Sequence, residues 1–133
     1  MSDELIPVTF QKIMQSEAYT VFMLNANDKD FPIYTSPKVG HIIQSLLSDK
    51  PSRRPYTHEL LNNLLLGLDT KPLQVVIHDV SEAIYETRLF LERQGEMREI
   101  IEIDTRPSDA LTLALMHNLP LFCKSEAFNK ISS

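Results

Sequence analysis

The chain predicts an α+β domain: a mixed β-sheet with about three main helices. Three observations lead there. Segments rich in β-branched and aromatic residues alternate with segments whose apolar residues recur at helical spacing. Two of the helical segments open on the same pattern, Thr35-Ser36-Pro37 and Thr105-Arg106-Pro107. The 133 residues, 43% of them hydrophobic, suffice for one core, and residues 1–133 read as a single domain. Strands and helices mixed in this order belong to the α+β class.

Taken in order, residues 5–14 and "YTVFMLNA" at 19–26 read as strands. "NDKD" at 27–30 is a turn, and "FPIYT" at 31–35 returns as a third strand. Ser36 before Pro37 is a natural helix start, with serine as cap and proline in the first helical position. Val39, Ile42, Ile43, Leu46 and Leu47 then give one buried face. "SDKPSRRPY" at 48–56, with two prolines and two serines, is a loop. After it Thr57 is expected to cap a second helix, striped by Leu60, Leu61, Leu64, Leu65 and Leu68, with Gly67 near its end. "LQVVIHDV" at 73–80, "AIYETRLFLER" at 83–93 and "MREIIEID" at 97–104 read as strands, the last two joined by "QGE". Pro107 opens the third helix, apolar from Ala110 to Met116. "LPLFC" at 119–123 closes as a strand, and Ser125 is placed to cap a short terminal helix.

Each half therefore runs strand, turn, strand, Thr-x-Pro, helix. Sliding one half on the other sets Val39 against Asp109 and Ile43 against Leu113. A pseudo-repeat of two strand–helix units sharing one sheet is the expectation.

Several function classes drop out. No run of about 18 apolar residues exists, so no membrane span is expected. The start "MSDELIPVTF" lacks a basic n-region followed by an apolar stretch, and a cytoplasmic protein is the simple expectation. The lone Cys123, inside "LPLFCK", reads as a buried small hydrophobe. Three glycines and no tryptophan argue against a Gly-rich phosphate loop, and no organic cofactor is expected. No His/Cys spacing fits a structural zinc site, and no Ser-His-Asp order is suggested. The net charge of −5 repels polyanions overall, so any nucleic-acid contact must be local. The one basic cluster is Lys50, Arg53 and Arg54, either a solvated loop or a phosphate-facing one.

Two stretches carry chemistry. In "DTRPSDALTLAL" at 104–115, Asp109 is the third helical position if Arg106 is the cap. Its carboxylate can then accept the cap residue's own N–H and complement the helix dipole. Arg106 pairs with Asp104 or Asp109, or uses its planar fork to grip a phosphate bidentately. His58, one residue past the expected cap, should be partly exposed and able to serve as an acid or base near neutrality. His41, His78 and His117 read as incidental. Glu102 and Asp104 alternate with Ile101 and Ile103, so both leave one strand face, read as solvated.

"RRPYTHELLNNLL" at 53–65 and "IDTRPSDALTLAL" at 103–115 resemble the two signature segments of the bifunctional nuclease family, and "FPIYTSP" resembles its looser first segment. The resemblance spans roughly residues 8–128. It implies a compact α+β domain and an activity on RNA and DNA, known from plant relatives. It picks out Arg54, Pro55, Thr57 and His58 in one signature, and Asp104, Arg106, Pro107, Ser108 and Asp109 in the other. One departure bears on mechanism: many members carry an acid at about the position of Val39. Glu59 stands where many relatives have Asp.

On that resemblance, phosphodiester cleavage needs a base or metal-bound hydroxide and positive charge on the developing phosphorane. Asp104, Asp109 and Glu59 would hold one Mg²⁺ or Mn²⁺ by oxygen ligands. Arg53, Arg54, Arg106 and Ser108 would bind the nucleic acid, with His58, Asp104 and Asp109 catalytic. The scheme requires the two signature helix starts to meet in space. Two classes stay open: a metal-assisted nuclease, and a non-catalytic module that binds a partner or self-associates using the same fold. A homodimer or larger assembly is expected, with a strand edge pairing across a two-fold axis.

Overall fold

Two three-stranded antiparallel meanders, each turning into a helix through a Thr-x-Pro step, build the two halves of the chain. The computed structural model describes residues 4–48 and 56–131. The first meander is β1 (Leu5–Gln15), β2 (Thr20–Ala26) and β3 (Lys29–Thr35), followed by α1 (Pro37–Leu47). After α2 (Thr57–Gly67), the second is β4 (Thr70–Ser81), β5 (Ile84–Arg93) and β6 (Glu99–Thr105), followed by α3 (Pro107–His117). The chain closes with β7 (Leu121–Lys124) and α4 (Ser125–Lys130). The sheet order is β3-β2-β1-β7-β4-β5-β6, so β7 joins the halves, antiparallel to β1 and parallel to β4. The expected mixed sheet and its pseudo-repeat are both present.

Period-2 alternation separates the faces of the sheet. Val8, Phe22, Leu24, Val75, Ile77, Leu89, Leu91, Leu121 and Cys123 lie on the helix-covered side, in one core with Ile43, Leu65, Leu111 and Ala127 from the four helices. α3 lies at the centre of this layer. Its residues Ala110 through Ala114 are all buried, as a helix flanked by α1, α2 and the sheet requires. At the far end of the curled sheet the Phe31 ring of β3 stacks on Tyr85 of β5, 6.2 Å between centroids.

The pseudo-repeat reaches the buried threonines. Thr20 on β2 faces Thr35 across the ladder, and Thr87 on β5 faces Thr105; Thr20 and Thr87 are both wholly buried. Thr87 Oγ1 donates to the Thr105 carbonyl at 2.9 Å, while Thr20 Oγ1 donates to the Pro37 carbonyl at 3.3 Å and accepts the Gly40 N–H at 3.1 Å. Each middle strand thus anchors the helix start of its own half by a satisfied buried hydroxyl. Gly40 is required there by close approach: a Cβ at that position would lie 2.7 Å from Thr20 Oγ1 and 2.9 Å from Gln15 Cδ.

Several local expectations are corrected. The turn between β4 and β5 is Glu82-Ala83, both at positive φ, matching Asn27-Asp28 between β2 and β3. Such two-residue turns favour Asn and Gly, so Glu-Ala carried no turn signal and residue 83 read as strand. Thr57 is the first helical residue rather than the cap; Tyr56 flanks the helix, and its N–H donates to Glu59 Oε1 at 2.8 Å. Ser36 flanks α1 without a side-chain cap bond, and Ser125 begins α4 after Lys124. The α2 stripe divides. Leu61 and Leu65 face the core, whereas Leu60, Leu64 and Leu68 are 52%, 54% and 62% exposed, because α2 packs on β4 and α3 along one side only. Leu47 at the end of α1 is likewise exposed. Among the described residues no helix is long and apolar enough to cross a membrane.

Two outcomes follow from this packing. Gly40→Ala should lower stability by about 1–3 kcal/mol, since the added methyl must displace Thr20 Oγ1 from a filled site. An unshifted denaturation midpoint would show that Thr20 and Gln15 give way freely. His117, its Nε2 buried without a partner in the structure, is held neutral by burial, which pushes its imidazole below the ordinary histidine value. The unfolded chain therefore takes up that proton first, and this contribution to stability, present above pH 6.5, is lost as pH falls below it. Melting temperatures at about pH 7.5 and about pH 5 should fall further for the native protein than for His117→Gln. Equal falls would count against it.

Candidate functional site

The α3 start is set by the second meander. β6 ends at Thr105, which is fixed by Thr87, and Pro107 supplies a backbone angle already suited to the first helical turn. Arg106 is the flanking residue, and Asp109 sits in the first turn as its position predicts. The Asp109 carboxylate does not accept the Arg106 backbone N–H. It takes the guanidinium instead, Arg106 Nε donating to Oδ2 at 2.9 Å. Ser108 occupies the same turn, and its carbonyl accepts the Thr112 hydroxyl at 2.6 Å.

The α2 start is set by Glu59, whose side chain turns back to the Tyr56 N–H, and by the Tyr56 hydroxyl, 3.2 Å from Ser45 Oγ on α1. His58, next along, reaches across to α3. Its Nε2 lies 3.2 Å from Asp109 Oδ1. The two signature helix starts do meet, and one carboxylate joins them.

The three side chains differ in access. His58 is 14% exposed, Asp109 36% and Arg106 80%. The other ring nitrogen of His58, Nδ1, is buried and without a hydrogen-bond partner in the structure. The Asp109 carboxylate is thus held between a mostly hidden imidazole and an exposed guanidinium. The bond to Asp109 raises the pKa of Arg106 and leaves its terminal N–H groups toward solvent. Pro107, adjoining it, forms part of the wall of a groove of about 450 Å³ with Tyr34, Ile84 and Tyr85.

The other expected site residues are placed elsewhere. Asp104 lies on β6 opposite Arg88, on the sheet face turned away from the helices, since its neighbour Thr105 bonds the buried Thr87. Arg88 Nη1 is 2.6 Å from Asp104 and its Nε is 3.3 Å from Glu102, so the expected solvated acidic pair is bound by one arginine. Sequence reasoning missed Arg88, although the strand alternation of "TRLFLER" against "EIIEID" would place it on that face. Glu59 is committed to the Tyr56 N–H. Among the described residues no three His, Cys, Asp or Glu side chains gather as a ligand set. Asp104, Asp109 and Glu59 therefore do not fit a protein-built Mg²⁺ or Mn²⁺ centre. Lys50, Arg53 and Arg54 lie outside the described residues.

The model of the bifunctional nuclease domain family matches residues 21–133. The chain belongs to that family. Two relatives of this bifunctional nuclease domain, both from Mycobacterium tuberculosis, are named uncharacterized protein MT1877 (strain CDC 1551 / Oshkosh) and uncharacterized protein Rv1829 (strain ATCC 25618 / H37Rv). Each is 26% identical over 113 residues, which is 84% of this chain and 65% of the relative. The chain thus spans just under two thirds of the length of the curated relatives it matches. The matched span opens at Val21 in β2, so in this bifunctional nuclease domain β1 precedes it and completes the first meander.

If Asp109 ties α2 to α3, Asp109→Asn should lower stability by about 1–2 kcal/mol through loss of two charge-assisted bonds, one of them partly buried. Arg106→Lys should shift the melting temperature by no more than about two degrees, because an exposed ion pair contributes little. Thermal melts of both variants check this, and equal losses would refute the division of labour.

Proposed function

We propose that this bifunctional nuclease domain cleaves phosphodiester bonds in RNA and DNA at the junction of the α2 and α3 starts. The observation that carries the reading is the single carboxylate, Asp109, shared between His58 of one signature segment and Arg106 of the other. Arg106, anchored through Nε, offers its terminal N–H groups to a phosphate and to the charge that develops on the phosphorane. Asp109 accepts the proton of the attacking hydroxyl or water as the new P–O bond forms, and returns it to the leaving oxygen as the old P–O bond breaks. His58 is a positioning residue: Nε2–H holds Asp109 in place, while its second nitrogen is withheld from solvent. Ser108, Arg53 and Arg54 extend the phosphate contacts, and the groove beside Pro107 gives room for the adjoining nucleotide.

A second reading is a non-catalytic interaction module in which the same three residues staple α2 to α3. The buried His58 Nδ1 favours it, as does Val39 in place of the acid common in the family. Cleavage of end-labelled single-stranded RNA and DNA, with Mn²⁺, with Mg²⁺ and with EDTA, separates the two. Cleavage that persists in EDTA, drops at least about tenfold in Arg106→Lys and is lost in Asp109→Asn supports the nuclease. Cleavage that survives in Asp109→Asn assigns the activity to a contaminant. Absence of cleavage under every condition, with the stability loss of Asp109→Asn intact, supports the staple.

A further inference from the structure

We infer that the outer face of α2 is a self-association surface, on which a second copy of this chain packs its own α2 antiparallel about a two-fold axis near Asn63 and Leu64. Leu60, Leu64 and Leu68 recur at every fourth residue and form a continuous ridge, each more than half exposed. Beside the ridge runs the row Asn63–Gly67, also exposed, and a Cβ built on Gly67 meets no atom within 4 Å. A leucine ridge flanked by a shallow row is the relief that packs against a copy of itself, the i±4 ridge of one helix seated in the i±4 groove of the other. Gly67 allows close approach of the second backbone.

Charge points to a second copy as the occupant. Two chains of net charge −5 repel, so a surface on which they meet must be free of like charge. Among the residues of α2 the only carboxylate is Glu59, and it is turned back onto the Tyr56 N–H; Leu60, Asn63, Leu64, Gly67 and Leu68 carry no charge. Within Leu60–Leu68 a basic or acidic partner would find no complement. The amide of Asn63, close to the axis, can donate to and accept from its symmetry mate, which fixes the register that leucines alone leave loose.

Area points the same way. Leu60, Leu64, Leu66 and Leu68 expose on the order of 400 Å² of apolar surface, within the range of the largest patch on a lone monomer, and the exposed Asn63 and Gly67 beside them add roughly 100 Å². Two copies face to face bury on the order of 1,000 Å², the threshold for a specific interface. This placement differs from the strand-edge pairing that the strand-rich sequence suggests. It is independent of the chemistry at Arg106.

The test is the mass of the full chain by light scattering across the micromolar range. Twice the 15.3 kDa of one chain, or an even multiple of it, is expected. Leu64→Glu should halve that mass, whereas Ile103→Lys on the β6 edge should leave it unchanged. Asn63→Asp and Asn63→Lys should each weaken association at least about tenfold by setting like charges across the axis, and mixing the two should restore the native mass. That restoration also shows both variants to be folded. A native protein of single-chain mass, a Leu64→Glu protein that keeps the native mass, dissociation by Ile103→Lys, or failure of the Asn63 pair to complement would each overturn the proposal.

Discussion

Four residues hold the two halves of this protein in one sheet. Leu121–Lys124 of β7 pair with β1 on one side and with β4 on the other, and without them each meander would end in an open strand edge. The strand is short but fully committed: Leu121 and Cys123 point into the core, and the Val75 N–H donates to the Pro120 carbonyl just before it. Because α3 feeds β7 directly through Asn118, whose backbone is left-handed, the position of β7 also dictates that α3 lies across β4 and β5. A helix buried along five consecutive residues can survive only in that central place.

From this follows the geometry at the helix starts. Once α3 is central, its first turn must emerge beside one of the two helices that flank it, and the contact of His58 with Asp109 is made by α2. A carboxylate in the first turn of a central helix, half shielded, needs donors from its surroundings. It finds one on each side, His58 and Arg106. The same local need for compensation binds Asp104 to Arg88 on the opposite sheet face and Glu59 to a backbone N–H. Three acids that sit close together in a list of motif residues therefore serve three separate environments. The chemistry available is that of one carboxylate and one exposed guanidinium.

The acidic surface and the leucine-rich α2 are two sides of one balance. Net charge keeps copies of the chain apart, and an uncharged ridge is where that repulsion is least and apolar burial greatest. α2 is also the least embedded of the three long helices: Leu65, 9% exposed, is its single buried residue. Its His58 link to α3 and its packing on β4 hold it to the domain, so that an apolar outer face is presented on a fixed helix rather than a loop.

Local chemistry was enough to establish much of this. Period-2 and period-3.6 patterns placed the seven strands and the helices within a few residues. The paired Thr-x-Pro steps disclosed the pseudo-repeat, and proline at the first helical position located the α1 and α3 starts, because these signals act within one or two turns of chain. The signature segments likewise marked the two helix starts that the fold brings together. Whatever depends on what lies opposite was decided by tertiary structure alone. The α2 leucines read as one buried stripe, yet only Leu61 and Leu65 are on the side where β4 and α3 stand. Asp104 and Asp109, five residues apart, leave opposite faces of the sheet, because strand alternation and helix placement are separate facts of geometry. Periodicity tells a chain which side chains share a face. Only the assembled layers tell it what that face meets.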